Sequence, residues 1–305
     1  MKRVEVLMST YNGEKYVERQ IDSILAQENV DIHITVRDDG SKDNTCFVIK
    51  AMASKNPGKI SLFEGENYGY RKSFLTLLSL AEEADYYAFS DQDDVWMPRK
   101  ICIAIDYLAQ ESNAIKLYTS NLIIVDENLN YIGKTKFSKL FSSLKSDFSR
   151  HRFAGCTYVF SHCLKDLAER INTFNLAKDE YPDHDFFLSA CAYSCGKVVL
   201  DENAYINHVR LSSSVTSGGN GILKRISVEY KTLFFKKNHK HFMACLLLDK
   251  YKKDISSESI PFLEAVKRYK KSLKDKYKLI FQPDFTCGIK ICDIKRNLKI
   301  LMSNY

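Results

Sequence analysis

The feature that most constrains this 305-residue chain is an alternation of strand and helix patterns, repeated four times within the first 110 residues. Apolar runs at 4–8, 32–36, 60–63 and 86–89 each end in a polar cluster, and a helical pattern follows each cluster. Strands that alternate with helices are typical of a parallel sheet with helices on both faces. The pattern therefore predicts an α/β fold whose ligand site lies outside the carboxyl ends of the strands.

The fourth polar cluster, SDQDDVWMP, holds three carboxylates within four residues, Asp91, Asp93 and Asp94. Side chains two residues apart point the same way in an extended chain, so Asp91 and Asp93 can face one spot. Carboxylates held this close repel each other, and a divalent cation relieves the repulsion by bridging them to a phosphate. The cluster therefore predicts bound Mg²⁺ or Mn²⁺. The alternative is a solvated acidic loop with the Trp96 side chain buried in the core.

The contents of the four loops point to a nucleotide. Tyr11 offers a ring on which a base can stack, Asp39 offers an acceptor for a ring N–H, and the later acids offer a place for ribose and metal. Neither G-x-G-x-x-G nor G-x-x-x-x-G-K-[ST] follows the first strand, so NAD-binding and ATP-hydrolysing functions lose their main support. We therefore expect a metal, and not backbone amides, to hold the phosphates.

Further strands are predicted at 115–125, 156–160 and 198–200, and the Ser- and Gly-rich stretch 212–221 suggests a mobile loop or lid. Asp183 and Asp185 precede an apolar helix. Carboxylates at a helix start commonly serve as caps, and from these residues alone capping is the favoured interpretation.

The basic charge of the chain is concentrated in its last quarter. Residues 221–305 carry 20 Lys and Arg against 8 Asp and Glu, or +12, whereas residues 1–220 carry 25 against 30, or −5. From Pro261 to Ile280 the pattern predicts one basic amphipathic helix. This helix either lies on anionic lipid or packs its apolar stripe on the domain, with nucleic acid a weaker third alternative and not expected.

Two absences in the sequence bear on location. No uninterrupted apolar run reaches the length of a membrane span, so a spanning helix is not expected. Nine scattered cysteines, without a secretory signal, suggest reduced residues of a cytosolic protein. Together with the basic tail, they predict a cytoplasmic protein that is peripheral on the inner face of the cell membrane.

At this point the chain resembles the family 2 glycosyltransferases, which have the Rossmann-like glycosyltransferase-A fold. The resemblance covers roughly residues 3–210 and looks strongest toward bacterial rhamnosyl- and hexosyltransferases of surface polysaccharide synthesis. It rests on six strings in order: VLMSTYNGEKYV, VRDDGSKDNT, ENYGYRKSF, SDQDDVWMP, AGCTYVF and the pair His184–Asp185.

The resemblance implies roles for individual residues. It makes Asp185 the catalytic base, in place of the capping role, and it makes Asp91, Asp93 and His208 the metal site. Around His208 the chain departs from the family, because Ile206 and Val209 stand where related enzymes often have other residues, and Arg210 is a possible substitute. The implied donor-binding residues are Thr10, Tyr11, Asn12, Glu14, Asp39, Asn67, Gly69, Arg71, Asp91 and Gln92.

The expected organisation is a catalytic domain over 1–220, with a nucleotide-binding half (1–110) and an acceptor half (111–220), followed by a basic helical region over 221–305. The expected function is an inverting, metal-dependent glycosyltransferase that moves a sugar from a UDP- or dTDP-sugar to a lipid-linked glycan.

Two other functions compete with this one. A sugar-nucleotide pyrophosphorylase needs a glycine-rich loop of the G-x-G-T-R-L type, and STYNGEK is not one. An inactive membrane-docking protein is disfavoured by retention of Asp91, Asp93 and Asp185.

Overall fold

The computed structural model describes residues 1–137, 141–171, 181–210 and 239–305. These residues form two compact units, and each unit is made of several separate stretches of the chain. The described part of the first unit contains 1–137, 153–171, 181–192 and 196–210, and that of the second contains 141–152, 193–195 and 239–305. The predicted boundary at 220 and the predicted loop at 212–221 lie outside the described residues, whereas the grouping of 141–152 with the tail was not anticipated.

The first unit is built on one mixed sheet. Its strands are β1 (Lys2–Thr10), β2 (Val30–Asp38), β3 (Ile60–Glu64), β4 (Tyr86–Ser90), β5 (Val95–Trp96), β6 (Lys116–Val125), β7 (Tyr131–Lys134), β8 (Val159–Ser161) and β9 (Lys197–Val209). Their order is β3-β2-β1-β4-β8-β6-β9-β5, with β7 paired to β6. Strands β1 to β4 are mutually parallel, and β6 and β9 run parallel to each other, whereas β5, β7 and β8 pair antiparallel. The expectation of an α/β fold with a mostly parallel sheet is confirmed.

Helices follow the strands as the alternation predicted. They are α1 (Val17–Leu25), α2 (Thr45–Lys55), α3 (Tyr70–Leu80), α4 (Lys100–Ala109), α5 (Leu144–Ser149, in the second unit), α6 (His162–Glu169) and α7 (His184–Cys195). Helix α1 shows the cause: Val17, Ile21 and Ile24, three and four residues apart, are fully buried in the core beside the sheet. Ser161 caps α6, since its hydroxyl accepts from the backbone N–H of Leu164.

One predicted bound was wrong, and the segment concerned lies near the acidic loop. Val95 and Trp96 form the short strand β5 against β9, and helix α4 begins at Lys100. The last strand extends far beyond residues 198–200, to Val209, because β6 pairs with it in parallel along its length. Partner strands on both sides stabilise a polar segment that a local pattern does not identify as a strand, and they place His208 on a strand.

The second unit is helical in its described part. It contains α5 together with α8 (His239–Lys250), α9 (Ile260–Arg268), α10 (Leu273–Ile280) and α11 (Lys290–Leu301). The prediction of one continuous helix from Pro261 to Ile280 was wrong, because Ser272 begins a new helix and accepts from the backbone N–H of Asp275. The rings of Phe262 and Tyr269 are buried in this unit, so the first part of the predicted stripe is core.

Among the described residues, no helix combines the length and the apolar character needed to cross a bilayer.

Candidate active site

The loop after β2 is held by a buried carboxylate at the end of the strand. Asp38 is 1% exposed, and its Oδ2 accepts hydrogen bonds from the hydroxyls of Thr10 and Ser41, at 2.8 and 2.6 Å. Its Oδ1 accepts from the backbone N–H groups of Gly40 and Ser41. Thr10, expected to bind the donor, is itself buried and joins the ends of β1 and β2.

Two more of the expected donor-binding residues tie the first loop to the second. Asn12 Oδ1 accepts from the backbone N–H of Lys42, and Glu14 Oε2 accepts from that of Asn44, each at 2.9 Å. Tyr11 lies between these ties with 43% of its surface exposed. The side chains of Asn12 and Glu14 thus fix the backbone that presents the Tyr11 ring to solvent.

Gln92 connects the first loop to the acidic loop. Its side-chain amide makes two hydrogen bonds with the backbone of Tyr11: Oε1 accepts from the N–H at 2.8 Å, and Nε2 donates to the carbonyl at 3.1 Å. A Cβ at Gly13 would lie 2.3 Å from Gln92 Oε1. Glycine at position 13 therefore makes room for this contact.

Asp39 holds the third loop. Its carboxylate is 3% exposed and accepts from the backbone N–H groups of Tyr68 and Gly69, at 2.9 and 2.8 Å, while Arg37 pairs with it. Asn67, next in this loop, is exposed. The expectation that Asp39 accepts from a base ring N–H stays a prediction, and the structure adds that Asp39 positions the loop that leads into α3.

Arg71, in the first turn of α3, reaches the beginning of α7. Its Nε lies 2.6 Å from Oδ1 of Asp183, and the hydroxyl of Tyr70 donates to the same oxygen at 3.4 Å. Asp183 occupies the N-cap position of α7, yet its carboxylate makes no capping hydrogen bond. Arg71 therefore joins the third loop to the helix that carries Asp185.

Asp185 lies in the first turn of α7, where the backbone of Gly155 packs closely against the helix. Its Oδ1 accepts from the N–H of Phe186 at 2.7 Å, and its backbone carbonyl accepts from the hydroxyl of Tyr158 at 3.2 Å. The neighbouring His184 is buried and stacks on Phe74 with ring centroids 4.1 Å apart. A Cβ at residue 155, a glycine, would lie 2.7 Å from His184 Nε2. Close packing on both sides fixes the start of this helix.

The acidic loop meets β9 in a mixed cluster of acids, a thiol and an imidazole. Ligand atoms of Asp91, Asp94, Cys156 and His208 all lie within 4.8 Å of one another, and Asp93 lies outside this group. Asp94 is fully buried, and its Oδ1 lies 2.8 Å from His208 Nδ1. The structure thus places the expected Asp91 and His208 together and adds Asp94, which the i, i+2 spacing had passed over.

Burial and crowded charges shift the pKa values of this cluster. Burial, with the charges of Asp94 and Asp93, raises the pKa of Asp91 above its usual range, and burial with the Asp94 charge raises that of Asp93 to about 6. Burial alone would lower the pKa of His208, but the hydrogen bond to Asp94 and the nearby carboxylates outweigh it and raise the pKa to about 9. The charge of Asp185 also contributes to raising the pKa of Asp91, which places the expected base within electrostatic range of the acidic loop.

A buried lysine lies behind the cluster. Lys100 is fully buried, and its Nζ lies 3.5 Å from the centroid of the Trp96 ring. Burial lowers its pKa to about 7, partly opposed by the charges of Cys156 and Asp94. No sequence pattern predicted a role for Lys100, because a lysine at a helix start is ordinarily solvated.

The residues present fit a divalent cation. The buried Oδ2 of Asp94 has no hydrogen-bond partner, and burial together with neighbouring carboxylate charge raises the pKa values of Asp91 and Asp93. Carboxylate oxygen and imidazole nitrogen suit Mn²⁺, and carboxylate oxygen suits Mg²⁺. The Cys156 thiol does not belong to such a ligand set, because burial raises its pKa well above the usual range and keeps it protonated.

Comparison with known proteins identifies curated relatives of this chain. The chain is 36% identical over 195 residues to the dTDP-rhamnosyl transferase RfbG of Shigella flexneri, covering 61% of this chain and 64% of that protein. It is 24% identical over 241 residues to the hyaluronan synthase of Pasteurella multocida, covering 77% of this chain and 22% of the synthase. The chain thus spans less than two thirds of the length of these curated relatives.

Solved structures share the fold at low identity. The chain resembles S. aureus TarS 1–349 in complex with UDP, with a TM-score of 0.54 and 16% identity, covering 99% of this chain and 91% of that one. It resembles the mannosyltransferase PcManGT from Pyrobaculum calidifontis in complex with GDP-Man and Mn²⁺ to the same TM-score of 0.54, at 15% identity, covering 100% and 88% of the two chains. These neighbours have the glycosyltransferase-A fold, as the sequence resemblance implied.

The model of the family described as "Glycosyl transferase family 2" matches residues 5–171, which include all four strand-end loops and more than half of the chain. The chain belongs to glycosyl transferase family 2.

Proposed function

We propose that the chain is an inverting, metal-dependent glycosyltransferase that moves a sugar from a UDP- or dTDP-sugar, with dTDP-rhamnose the first candidate, to a hydroxyl of a lipid-linked glycan in bacterial polysaccharide synthesis. The single observation that carries the proposal is the cluster between the acidic loop and β9, where ligand atoms of Asp91, Asp94 and His208 lie within 4.8 Å of one another. The similarity to a dTDP-rhamnosyl transferase supports the choice of donor.

In this proposal the exposed ring of Tyr11 stacks on the base of the donor, while Gln92 and the second loop hold that ring's backbone. Asp91 binds the ribose side of the donor and Asp39 accepts from the base, together with the loop contacts that it already makes. Asn67, Gly69 and Arg71 line the third loop on the donor side.

The divalent cation is proposed to bind Asp91, Asp93 and His208. Since Asp94 takes the Nδ1 side of His208, the Nε2 side is left for the cation, which is how carboxylates commonly orient metal-binding histidines. The cation, Mn²⁺ or Mg²⁺, would supply positive charge against the departing diphosphate.

Asp185 acts as the base. Its carboxylate takes the proton of the acceptor hydroxyl as that oxygen forms a bond to the anomeric carbon of the donor sugar. The bond from the anomeric carbon to the diphosphate oxygen breaks at the same time, and the nucleoside diphosphate departs with the bonding electron pair. Attack from the face opposite the leaving group inverts the anomeric centre, so a single base is sufficient.

The proposed location is the inner face of the cell membrane, where the lipid-linked acceptor is held, with the basic tail as the membrane contact. Support comes from the net positive charge of the last quarter of the chain.

The experiment is a panel of UDP-, dTDP- and GDP-sugars with the purified chain, with and without Mn²⁺. We expect Mn²⁺-dependent release of UDP or dTDP from one donor, and faster release when an acceptor is added. Release of pyrophosphate from a nucleoside triphosphate would favour a pyrophosphorylase, and binding without any release would favour an inactive docking protein.

A further inference from the structure

Helix α11 buries Arg296 and leaves a row of apolar side chains exposed. Arg296 is 5% exposed, and one turn along, Ile300 is fully buried. Its exposed apolar residues, at spacings of three and four that place them on the opposite face, are Ile291, Ile294, Leu298 and Leu301. A helix in a water-soluble domain ordinarily shows the reverse arrangement, so this outward face needs a partner other than water.

The buried side of α11 is stabilised by specific contacts. Arg296 Nη1 donates to Ser149 Oγ at 3.0 Å and pairs with Asp293 at 3.1 Å, and its guanidinium lies 4.1 Å from the ring centroid of Phe285. The hydroxyl of Thr286 donates to Asp293, which also accepts from the backbone N–H of Cys287 at 3.1 Å. These contacts fix the rotation of α11, so Ile291, Ile294, Leu298 and Leu301 face outward as a consequence of packing.

Helix α10 adds a second exposed apolar row. Leu273, Tyr277 and Phe281, four residues apart, are 68%, 53% and 76% exposed, and α10 contacts α11. The rings of Tyr277 and Phe281 are stacked, with centroids 6.3 Å apart. Among the described residues, nine of the eighteen large apolar side chains that are exposed lie between 273 and 302.

Positive charge accompanies this apolar surface. Residues 269–305 carry nine Lys and Arg against three Asp and no Glu. Lys274 and Lys278 lie on α10 beside the aromatic row, Lys290 begins α11, and all three are exposed. Apolar and aromatic side chains among lysines, on helices too short to span a bilayer, match the interface of an anionic membrane, where rings insert at headgroup depth and ammonium groups pair with lipid phosphates.

We infer that the α10–α11 face, defined by the exposed apolar residues of these two helices and their lysines, docks the protein on an anionic lipid surface. The inference rests on the membrane association proposed above and identifies its surface, which keeps Leu273 and Tyr277 of the stripe expected from the sequence but not its first part. Phe262, Leu263 and Val266 of that stripe are buried in the second unit and cannot contact lipid.

The test is co-sedimentation of the full chain with vesicles of phosphatidylcholine alone or mixed with phosphatidylglycerol. We expect binding to the mixed vesicles only, weakened by salt. Ile294→Gln with Leu298→Gln should weaken it by about tenfold or more, since two partly inserted side chains lose their lipid contacts. Tyr131→Gln with Ile132→Gln, which alters two exposed apolar residues of β7 in the first unit, is the matched control and should bind as the unaltered chain does.

A second pair of variants tests the charge. Lys274→Gln with Lys278→Gln should reduce binding to the mixed vesicles, whereas Lys252→Gln with Lys253→Gln removes equal charge outside α10 and α11 and should not. Because all four lysines are exposed, these variants also serve if the apolar pair does not fold.

Equal losses of binding in variants and controls would overturn the inference, and so would binding to neutral vesicles. Self-association of the chain that the Ile294 and Leu298 changes abolish would also overturn it, because the face would then be a subunit interface. Donor hydrolysis is measured on every variant. A loss of vesicle binding with hydrolysis intact separates the docking surface from the proposed transfer reaction, whose own failure would appear as absent hydrolysis in the unaltered chain.

Discussion

Arg71 and Asp183 form an ion pair, with 2.6 Å between Nε and Oδ1, that joins the first turn of α3 to the residue preceding α7. Asp183 stands at the N-cap of α7 but makes no capping hydrogen bond, so its carboxylate serves this long-range contact instead. The pair connects the third loop, on the proposed donor side, with the helix that carries Asp185.

Asp183→Asn should lower kcat/KM by about tenfold or more while changing the melting temperature little, because a half-exposed ion pair adds no more than about 1 kcal/mol to stability but a misplaced base costs more in rate. Steady-state kinetics and thermal melts check this. Glu64→Gln, which breaks the exposed pair with Lys50, is the control and should leave both unchanged. A melting temperature that falls with the rate would make the pair structural.

Asp185→Asn should abolish transfer, with donor affinity retained, because an amide cannot take the proton of the acceptor hydroxyl. Calorimetric binding of the donor and product analysis by mass spectrometry give the two readouts. If donor binding is lost together with transfer, Asp185 is holding the fold of the α7 start.

Asp94→Asn should weaken Mn²⁺ binding by about 10- to 100-fold, because the carboxylate that orients His208 is replaced by a neutral amide. Calorimetry with Mn²⁺ alone measures the affinity without any turnover. Asp126→Asn, on an exposed turn after β6, is a control with the same chemistry. An unchanged Mn²⁺ affinity would separate the Asp94–His208 pair from the metal site.

The affinity for Mn²⁺ should fall as the pH is lowered through about 6, because protons compete with the cation for the carboxylates. The pKa of Asp93 is raised to about 6, so this carboxylate takes up a proton in that range. Removing Mn²⁺ with a chelator should likewise release the donor. Manganese titrations at several pH values measure how the Mn²⁺ affinity changes with pH. An affinity that rises on acidification would contradict the prediction.

Gly13→Ala should raise the donor Kd by about tenfold, or about 1.4 kcal/mol, because the new Cβ lies 2.3 Å from Gln92 Oε1 and displaces the amide that holds the Tyr11 backbone. Gly133→Ala is the matched control, since its Cβ meets nothing within 4 Å. Gln92→Ala should reproduce the loss. Normal donor binding by Gly13→Ala would show that the Gln92 contact does not position the base site.

His33 should make stability depend on pH. Its hydrogen bond to buried Glu5 raises its pKa above 6.5, so the stabilisation is fully present below about pH 6.5 and is lost as the pH rises through the folded-state value. The melting-temperature difference between the unaltered chain and His33→Gln should therefore shrink on going from acidic to alkaline pH. A melting-temperature difference that grows with pH would show that protonated His33 does not stabilise the fold.

Much of the site was predictable because it lies at strand ends. The apolar runs that become β1 to β4 end at Thr10, Asp38, Glu64 and Ser90, and parallel strands bring such ends to one edge of the sheet. Local periodicity sufficed, since each strand or helix in this part follows its own sequence pattern.

The partners of individual side chains were not predictable in the same way. The spacing of SDQDD favoured Asp91 and Asp93 as a pair, but Asp94 meets His208 across 114 positions of sequence. Asp183 was interpreted as a cap because local chemistry favours it, whereas Arg71, far along the chain, takes its carboxylate. Contacts of this separation depend on how strands are ordered, which a single sequence does not encode locally.

The alternating fold, the strand-end loops and the acids that they carry can be read from the residues alone, because they follow from short-range hydrophobic periodicity and from the chemistry of neighbouring residues. Three features needed the folded chain: which acids meet which bases, that the polar segment containing His208 is a strand, and which apolar faces of the tail are core. Those depend on pairing and burial between distant segments, and the outward apolar face of α11 is fixed by where Arg296 finds its buried partners.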